Sequence, residues 1–145
     1  MVGTLYGPHI CGDTVDSKGD MVLTGSYRGG QQLEVWSLSQ RKLITAIDWD
    51  EGKKCQDCVF VYTAMFDKKI GENIIAGGTG RNEVKMFDYG SKVTPIGSIP
   101  LPKSCLSLDI TYSGTMIALG CGDGKLRLID INDGSRTPSN LSSIG

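Results

Sequence analysis

A segment of five residues recurs three times along the chain, and this internal repeat limits the folds that the chain can adopt. The copies at residues 33–37, 84–88 and 126–130 each read apolar, charged, apolar, bulky and then Ser or Asp. A glycine that ends an apolar run lies nine to eleven residues before each bulky position. These bulky residues and glycines are Trp36, Phe87 and Ile129, and Gly25, Gly77 and Gly120. A repeat at this spacing predicts three similar supersecondary units that pack on one another.

Each unit holds further candidate strands around the recurring segment. An upstream strand is predicted at residues 11–16, 59–66 and 105–111, and a strand after the bulky position at residues 42–47 and 93–99. Turn-forming residues separate the apolar runs about every ten residues, and no window keeps helical spacing for three turns. The sequence therefore predicts an all-β fold, and four antiparallel strands per unit is the number in a propeller blade.

The motifs resemble those of the WD-repeat β-propeller family over residues 7–131. The third unit is the most similar, and the matching stretches are residues 24–26, 35–37, 76–78, 86–88, 112–114 and 118–130. No unit carries both the signature tryptophan and its aspartate, since Ser37 follows Trp36. The resemblance implies about three blades of a larger propeller. It also implies structural roles for the three bulky residues, the three glycines and the turn residue Asp123.

The resemblance divides the chain into blades. Residues 1–6 are interpreted as the outer strand of a preceding blade, and residues 7–48, 49–99 and 100–134 as blades 1, 2 and 3, of which the third is incomplete. A polar tail follows at residues 135–145. Three blades leave two apolar faces open, which isolated proteins rarely tolerate. We expect these faces to be covered by the rest of the same propeller, our preferred interpretation, or by a second subunit.

Charge and composition exclude several classes of partner. The 15 basic and 16 acidic residues nearly balance, so no field that would attract nucleic acid is expected. No apolar run approaches the length of a membrane span, and no secretory signal is visible at the start. We expect a cytoplasmic protein, with the cilium or the cytoskeleton as candidate locations. The partners that remain are other proteins.

Catalytic and metal-binding patterns are weak. His9 is the single histidine, and Cys55 and Cys58 have metal-ligand spacing without a second cysteine pair. The glycine-rich stretches at residues 77–80 and 120–124 join predicted strands, which favours turns over phosphate-binding loops. We therefore expect no enzyme activity, no cofactor and no metal. The alternative is a propeller enzyme or small-ligand binder whose central channel uses Asp13, Asp16 and Asp109.

The family resemblance implies a protein-interaction scaffold and indicates which loops bind. In WD-repeat propellers, the loops between second and third strands and those before first strands gather on one rim. The residues that this implies as contacts are Tyr27, Arg28, Arg81, Lys103 and Lys125. Arginine and tyrosine are favoured anchors at protein interfaces. Two alternatives stay open: Arg28 and Arg81 as solvated loop-tip charges, and Trp49 either as an anchor or as a residue packed under its own loop.

Overall fold

The computed structural model describes residues 3–50, 58–69, 73–90 and 93–131, and all the regular structure among them is β. The strands form three antiparallel sheets, each ordered in space as in sequence. Sheet 1 contains β1 (Val15–Lys18), β2 (Met21–Gly25), β3 (Leu33–Ser37) and β4 (Lys42–Ile47). Sheet 2 contains β5 (Phe60–Phe66), β6 (Asn73–Thr79), β7 (Glu83–Asp88) and β8 (Thr94–Pro100). Sheet 3 contains β9 (Cys105–Ile110), β10 (Met116–Cys121) and β11 (Leu126–Asp130).

The all-β prediction is confirmed, and β3 and β11 occupy the predicted residues 33–37 and 126–130. Two sheets have the four strands of a blade, and the third has three within the described residues. Residues 1–2, 132–134 and the tail at 135–145 lie outside the described part of the chain. Residues 3–6 form no strand, and their interpretation as the outer strand of a preceding blade stays a prediction.

The predicted first strand of blade 1 was wrong at its start, because β1 begins at Val15 and not at Cys11. The preceding residues turn away to meet blade 2: Asp13 forms an isolated parallel bridge with Thr63 of β5. Gly12 has a positive φ of 86° and packs against the backbone of Tyr62. The segment before β1 therefore joins two blades instead of extending the first sheet.

The core consists of two clusters, one on each side of sheet 2. Ile74 and Ile75 are adjacent in β6 and both fully buried, yet Ile74 packs between sheets 1 and 2 and Ile75 between sheets 2 and 3. This division follows from the pleat, since successive side chains of a strand point to opposite faces. Sheet 2 is thus covered on both faces, as the middle blade of three must be.

The bulky positions of the repeat face the preceding blade. Phe87 is buried between sheets 1 and 2, and Ile129 packs against the cluster between sheets 2 and 3. No sheet precedes Trp36 within the described residues, yet its side chain is buried. A Cβ on Gly7 would lie 3.3 Å from its indole, and its Nε1 donates to Thr24 Oγ1 at 3.2 Å. The first apolar residue of each recurring segment faces the next blade instead. At this position Leu126 of β11 is 53% exposed.

The repeated glycines lie where a side chain would overlap a neighbouring strand, and at two of them that strand belongs to the next blade. A Cβ on Gly25 would lie 2.6 Å from Cγ1 of Val61 in blade 2, and one on Gly77 would lie 2.7 Å from Cβ of Cys105 in blade 3. At Gly120 the nearest atom, at 2.4 Å, is Ser107 Oγ of the same sheet. Glycine recurs at this position because a side chain there would force the sheets apart.

Candidate functional site

The loops that were predicted from the sequence to bind a partner lie at one end of the three sheets. We call this surface the rim and define it by residues 26–32, 48–50, 58–60, 80–82, 101–104 and 122–125. Hydrogen bonds join its loops: Leu101 N donates to Asn82 O at 2.7 Å, and Gly122 N to Ser104 O at 2.9 Å. In blade 1, the backbone N of Gln31 donates to Asp48 Oδ1 at 2.6 Å. The rim is therefore a connected surface that spans all three blades.

Trp49 holds the rim of blade 1 to blade 2. The side chain is only 1% exposed, its ring meets Phe87 edge-on at 5.6 Å, and its Nε1 donates to Glu83 Oε1 at 2.7 Å. Its backbone N donates to Gln32 Oε1 at 3.0 Å. Of the two roles that the sequence left open, the structure shows the packed one. Trp49 is not available as an anchor for a partner.

Arg81 is bound to acidic neighbours. Its Nη1 lies 2.7 Å from Asp50 Oδ2, while Lys85 Nζ lies 2.9 Å from the other oxygen of the same carboxylate. Burial opposes the charged form of Asp50, but the two cations outweigh it and hold its pKa below the usual value. The guanidinium remains partly exposed, so a partner would meet a neutralised ion pair at this position.

Arg28 is folded onto its own loop, in contrast to the loop-tip position expected from the sequence. Its Nε donates to Gly30 O and Gln31 O at 3.0 Å, and its Nη1 to Gly7 O at 3.2 Å. Its Nη2 pairs with the buried carboxylate of Glu34. The side chain thus shapes the β2–β3 loop, and its role as a contact for a partner stays a prediction.

Three of the predicted contact residues present exposed side chains: Tyr27, Lys103 and Lys125. Tyr27 is 47% exposed and stacks on Phe60 of blade 2, with ring centroids 4.2 Å apart. Phe60 and Tyr62 were not predicted as rim residues. They lie two apart in β5 and flank the buried Val61. An apolar residue between two aromatic residues is typical of a buried strand. The pattern therefore does not indicate that Phe60 and Tyr62 stay only half-buried in β5.

Asp123 forms the turn that carries Lys125. Both of its carboxylate oxygens accept from Arg127 of β11, at 2.9 and 2.6 Å, and Oδ1 also accepts from Lys125 N at 3.3 Å. The paired guanidinium lowers the pKa of Asp123 from 3.8 to about 2. The structural role predicted for Asp123 thus has a physical basis, because the ion pair connects the turn to the strand that follows it.

Asp123→Asn is expected to lower the melting temperature at neutral pH but hardly at pH 2. The depressed pKa means that the folded state favours the carboxylate, so this stabilisation is complete above pH 3.8 and is lost as the pH falls towards about 2. Melting curves of both proteins between pH 7 and pH 2 measure the difference. Asp109→Asn, at a largely exposed carboxylate, serves as the control. A difference that persists unchanged at pH 2 would contradict this assignment.

The acidic residues that a channel enzyme would use contact groups of blade 2. Asp16 Oδ2 accepts from Phe66 N at 2.9 Å, and Asp109 Oδ1 lies 3.5 Å from Lys68 Nζ. His9 contacts the rim through its backbone, with its O accepting from Tyr27 N at 2.8 Å. Among the described residues, no three His, Cys, Asp or Glu side chains are grouped as metal ligands. Cys55 of the cysteine pair lies outside the described residues.

No described helix could cross a membrane.

Comparison with known proteins identifies the fold. No family model matches the sequence. The chain is 24% identical over 123 residues to the Periodic tryptophan protein 2 homolog of Schizosaccharomyces pombe, an alignment that covers 85% of this chain and 13% of that protein. A chain in a crystal structure of the mitotic checkpoint complex superposes with a TM-score of 0.66 at 16% identity, over 80% of this chain and 34% of that one.

These similarities confirm the resemblance to WD-repeat propellers that the repeat motifs indicated. The three sheets are blades of a β-propeller. The chain spans 13% of the length of the first protein and 34% of the second.

Proposed function

We propose that this chain is part of a protein-interaction scaffold and that a protein partner binds to its rim. The observation that carries the proposal is the hydrogen-bonded network joining the rim loops of all three blades. A surface held in this way loses little conformational entropy on binding. The exposed side chains of Tyr27, Lys103 and Lys125 supply the contacts, and Arg28 and Arg81 set the shape and charge around them.

The open face of sheet 3 supports the proposal that these blades work within a larger assembly. Leu106, Met116 and Leu126 are exposed apolar side chains on the three strands of this sheet. Leu33 and Val84, which are equivalent to Leu126 in sheets 1 and 2, are buried by the following blade. We propose that the rest of the same propeller, or a second subunit, covers this face. The intact mass of the native polypeptide distinguishes the two arrangements.

The assembly is proposed to be cytoplasmic, with the cilium and the cytoskeleton as candidate locations. The near balance of acidic and basic residues supports a partner recognised by shape and local contacts over one attracted by a strong field.

A photo-crosslinking amino acid at Lys103 or Lys125 is expected to trap a discrete partner when the full native polypeptide is expressed in its own cells. The matched controls place the same group at Gln40 or Tyr112, which are exposed in turns at the opposite end of the sheets. Mass spectrometry of the crosslinked bands identifies the trapped protein. Identical products from both ends, or none from the rim, would reject the rim as the binding surface.

A further inference from the structure

Three aromatic rings meet where the rims of blades 1 and 2 adjoin. Tyr27 of the β2–β3 loop lies nearly parallel to Phe60 of β5, at an interplanar angle of 21°. The ring of Tyr62, two residues further along β5, is nearly perpendicular to that of Tyr27, with centroids 6.1 Å apart and an interplanar angle of 80°. We call these three residues the aromatic cluster. One face of the Tyr27 ring is covered by Phe60, and 47% of the residue remains exposed.

The cluster is held in place by the backbone. Tyr27 N donates to His9 O at 2.8 Å, and Ser26 N donates to Gln32 O at 2.7 Å. Val61, between the two aromatic residues of β5, donates its N to Ser26 O at 3.3 Å. The rings are therefore positioned before any ligand arrives, which reduces the entropic cost of binding.

An acidic residue lies between the end of β2, which leads to Tyr27, and β5, which carries the other two rings. Thr14 O accepts from Gly25 N at 2.8 Å, which brings the preceding residue, Asp13, alongside Ser26, the residue before Tyr27. On its other side Asp13 bridges to Thr63, the residue after Tyr62. Asp13 is exposed, and no cation pairs with it among the described residues. The rim cation Arg28, one residue after Tyr27, is paired with Glu34.

We propose that the aromatic cluster binds an arginine or lysine side chain from a basic segment of the partner protein, with the cation on the exposed part of the Tyr27 ring and its charge balanced by the exposed Asp13. A cation over an aromatic face gains about 0.5–2 kcal/mol, depending on how far it is desolvated. The inference rests on the proposed function, because it assigns a ligand to one part of the rim.

The test uses the full chain and a short peptide of alternating arginine and glycine that carries a neutral fluorophore. A matched peptide has citrulline, which keeps the shape of arginine without its charge. Fluorescence anisotropy is expected to show tighter binding of the arginine peptide. Tyr27→Leu is expected to weaken it by about 2- to 30-fold, the range that corresponds to the loss of a cation–π contact. Tyr27→Phe, which keeps the ring, is expected to bind within about twofold of the wild type.

Two further variants separate charge from stacking. Asp13→Asn is expected to weaken the arginine peptide and to leave the citrulline peptide unchanged. Tyr112→Leu, at a tyrosine that is 89% exposed at the opposite end of sheet 3, is expected to change neither. Near-ultraviolet circular dichroism checks the fold of each variant, and Tyr27→Phe and Asp13→Asn keep the test decisive if Tyr27→Leu unfolds.

Equal binding of the two peptides, or full affinity in a folded Tyr27→Leu protein, would overturn the inference. Crosslinking at Lys103 and Lys125 reports on the rim separately. A trapped partner together with charge-independent peptide binding would reject the cation site alone, whereas the loss of both signals would reject the scaffold function as well.

Discussion

Trp49→Ala is expected to lower the free energy of unfolding by about 3–5 kcal/mol, the usual cost of removing a large buried aromatic side chain. The ring fills the space between β4 and sheet 2, where it packs on Phe87 and lies 5.5 Å from Lys85 Nζ. Its removal would leave a cavity between two blades and deprive Glu83 of the donor at 2.7 Å. Chemical unfolding followed by circular dichroism measures the change.

Trp49→Phe is the matched variant, because it keeps most of the ring and loses the hydrogen bond to Glu83. It is expected to cost less than the alanine variant, and the difference between the two measures the packing of the ring. If Trp49→Ala proved as stable as the wild type, the packing of blade 1 against blade 2 would have to differ from that described here.

Gly78→Ala is expected to destabilise the protein by about 3 kcal/mol or more, at the upper end of the cost of overpacking a core. A Cβ at this position would lie 2.0 Å from the carbonyl oxygen of Phe60 and 3.0 Å from the Cα of Val61. Both are backbone atoms, so no rotation of a side chain can relieve the overlap. The contact arises where the β5–β6 register shifts between Val61 and Thr63 and brings the β5 backbone towards β6.

Gly97→Ala provides the control within the same sheet. Gly97 lies in the exposed outer strand β8, and a Cβ there would meet no atom within 4 Å. The substitution is expected to be neutral or to stabilise by up to about 1 kcal/mol, since alanine restricts the unfolded chain. Comparable losses in the two variants would show that glycine is needed in these strands for a reason other than close approach.

The number of units and the strands within them were predictable from local patterns. The alternation of apolar residues indicates which side chains of β3, β7 and β11 face the preceding blade and which face the next, and two of the recurring glycines mark contacts between blades. The first strand of blade 1 was predicted too early, because residues 11–13 are apolar or turn-forming in sequence but contact β5 of the next blade. A local pattern carries no information on such a contact between residues about fifty positions apart.

The candidate site was less predictable than the fold. Its loops were predictable from the repeat. Arg28 and Arg81 lie in the same loop of two repeat units, but their contacts differ: Arg28 contacts Gly7, Gln31 and Glu34, whereas Arg81 pairs with Asp50. The aromatic cluster needs Tyr27 of one blade and Phe60 of the next, so neither repeat unit contains it.

The repeat pattern alone therefore established an all-β chain of three propeller blades, since the pleat makes every second residue of a strand share one environment. Which side chains are free to meet a partner was decided by the packing of the blades. That packing brings together loops distant in sequence, and it buried Trp49, paired Arg28 with Glu34 and left Tyr27 partly exposed on Phe60. Charge and exposure at the rim depend on distances between blades, and a single strand pattern does not encode them.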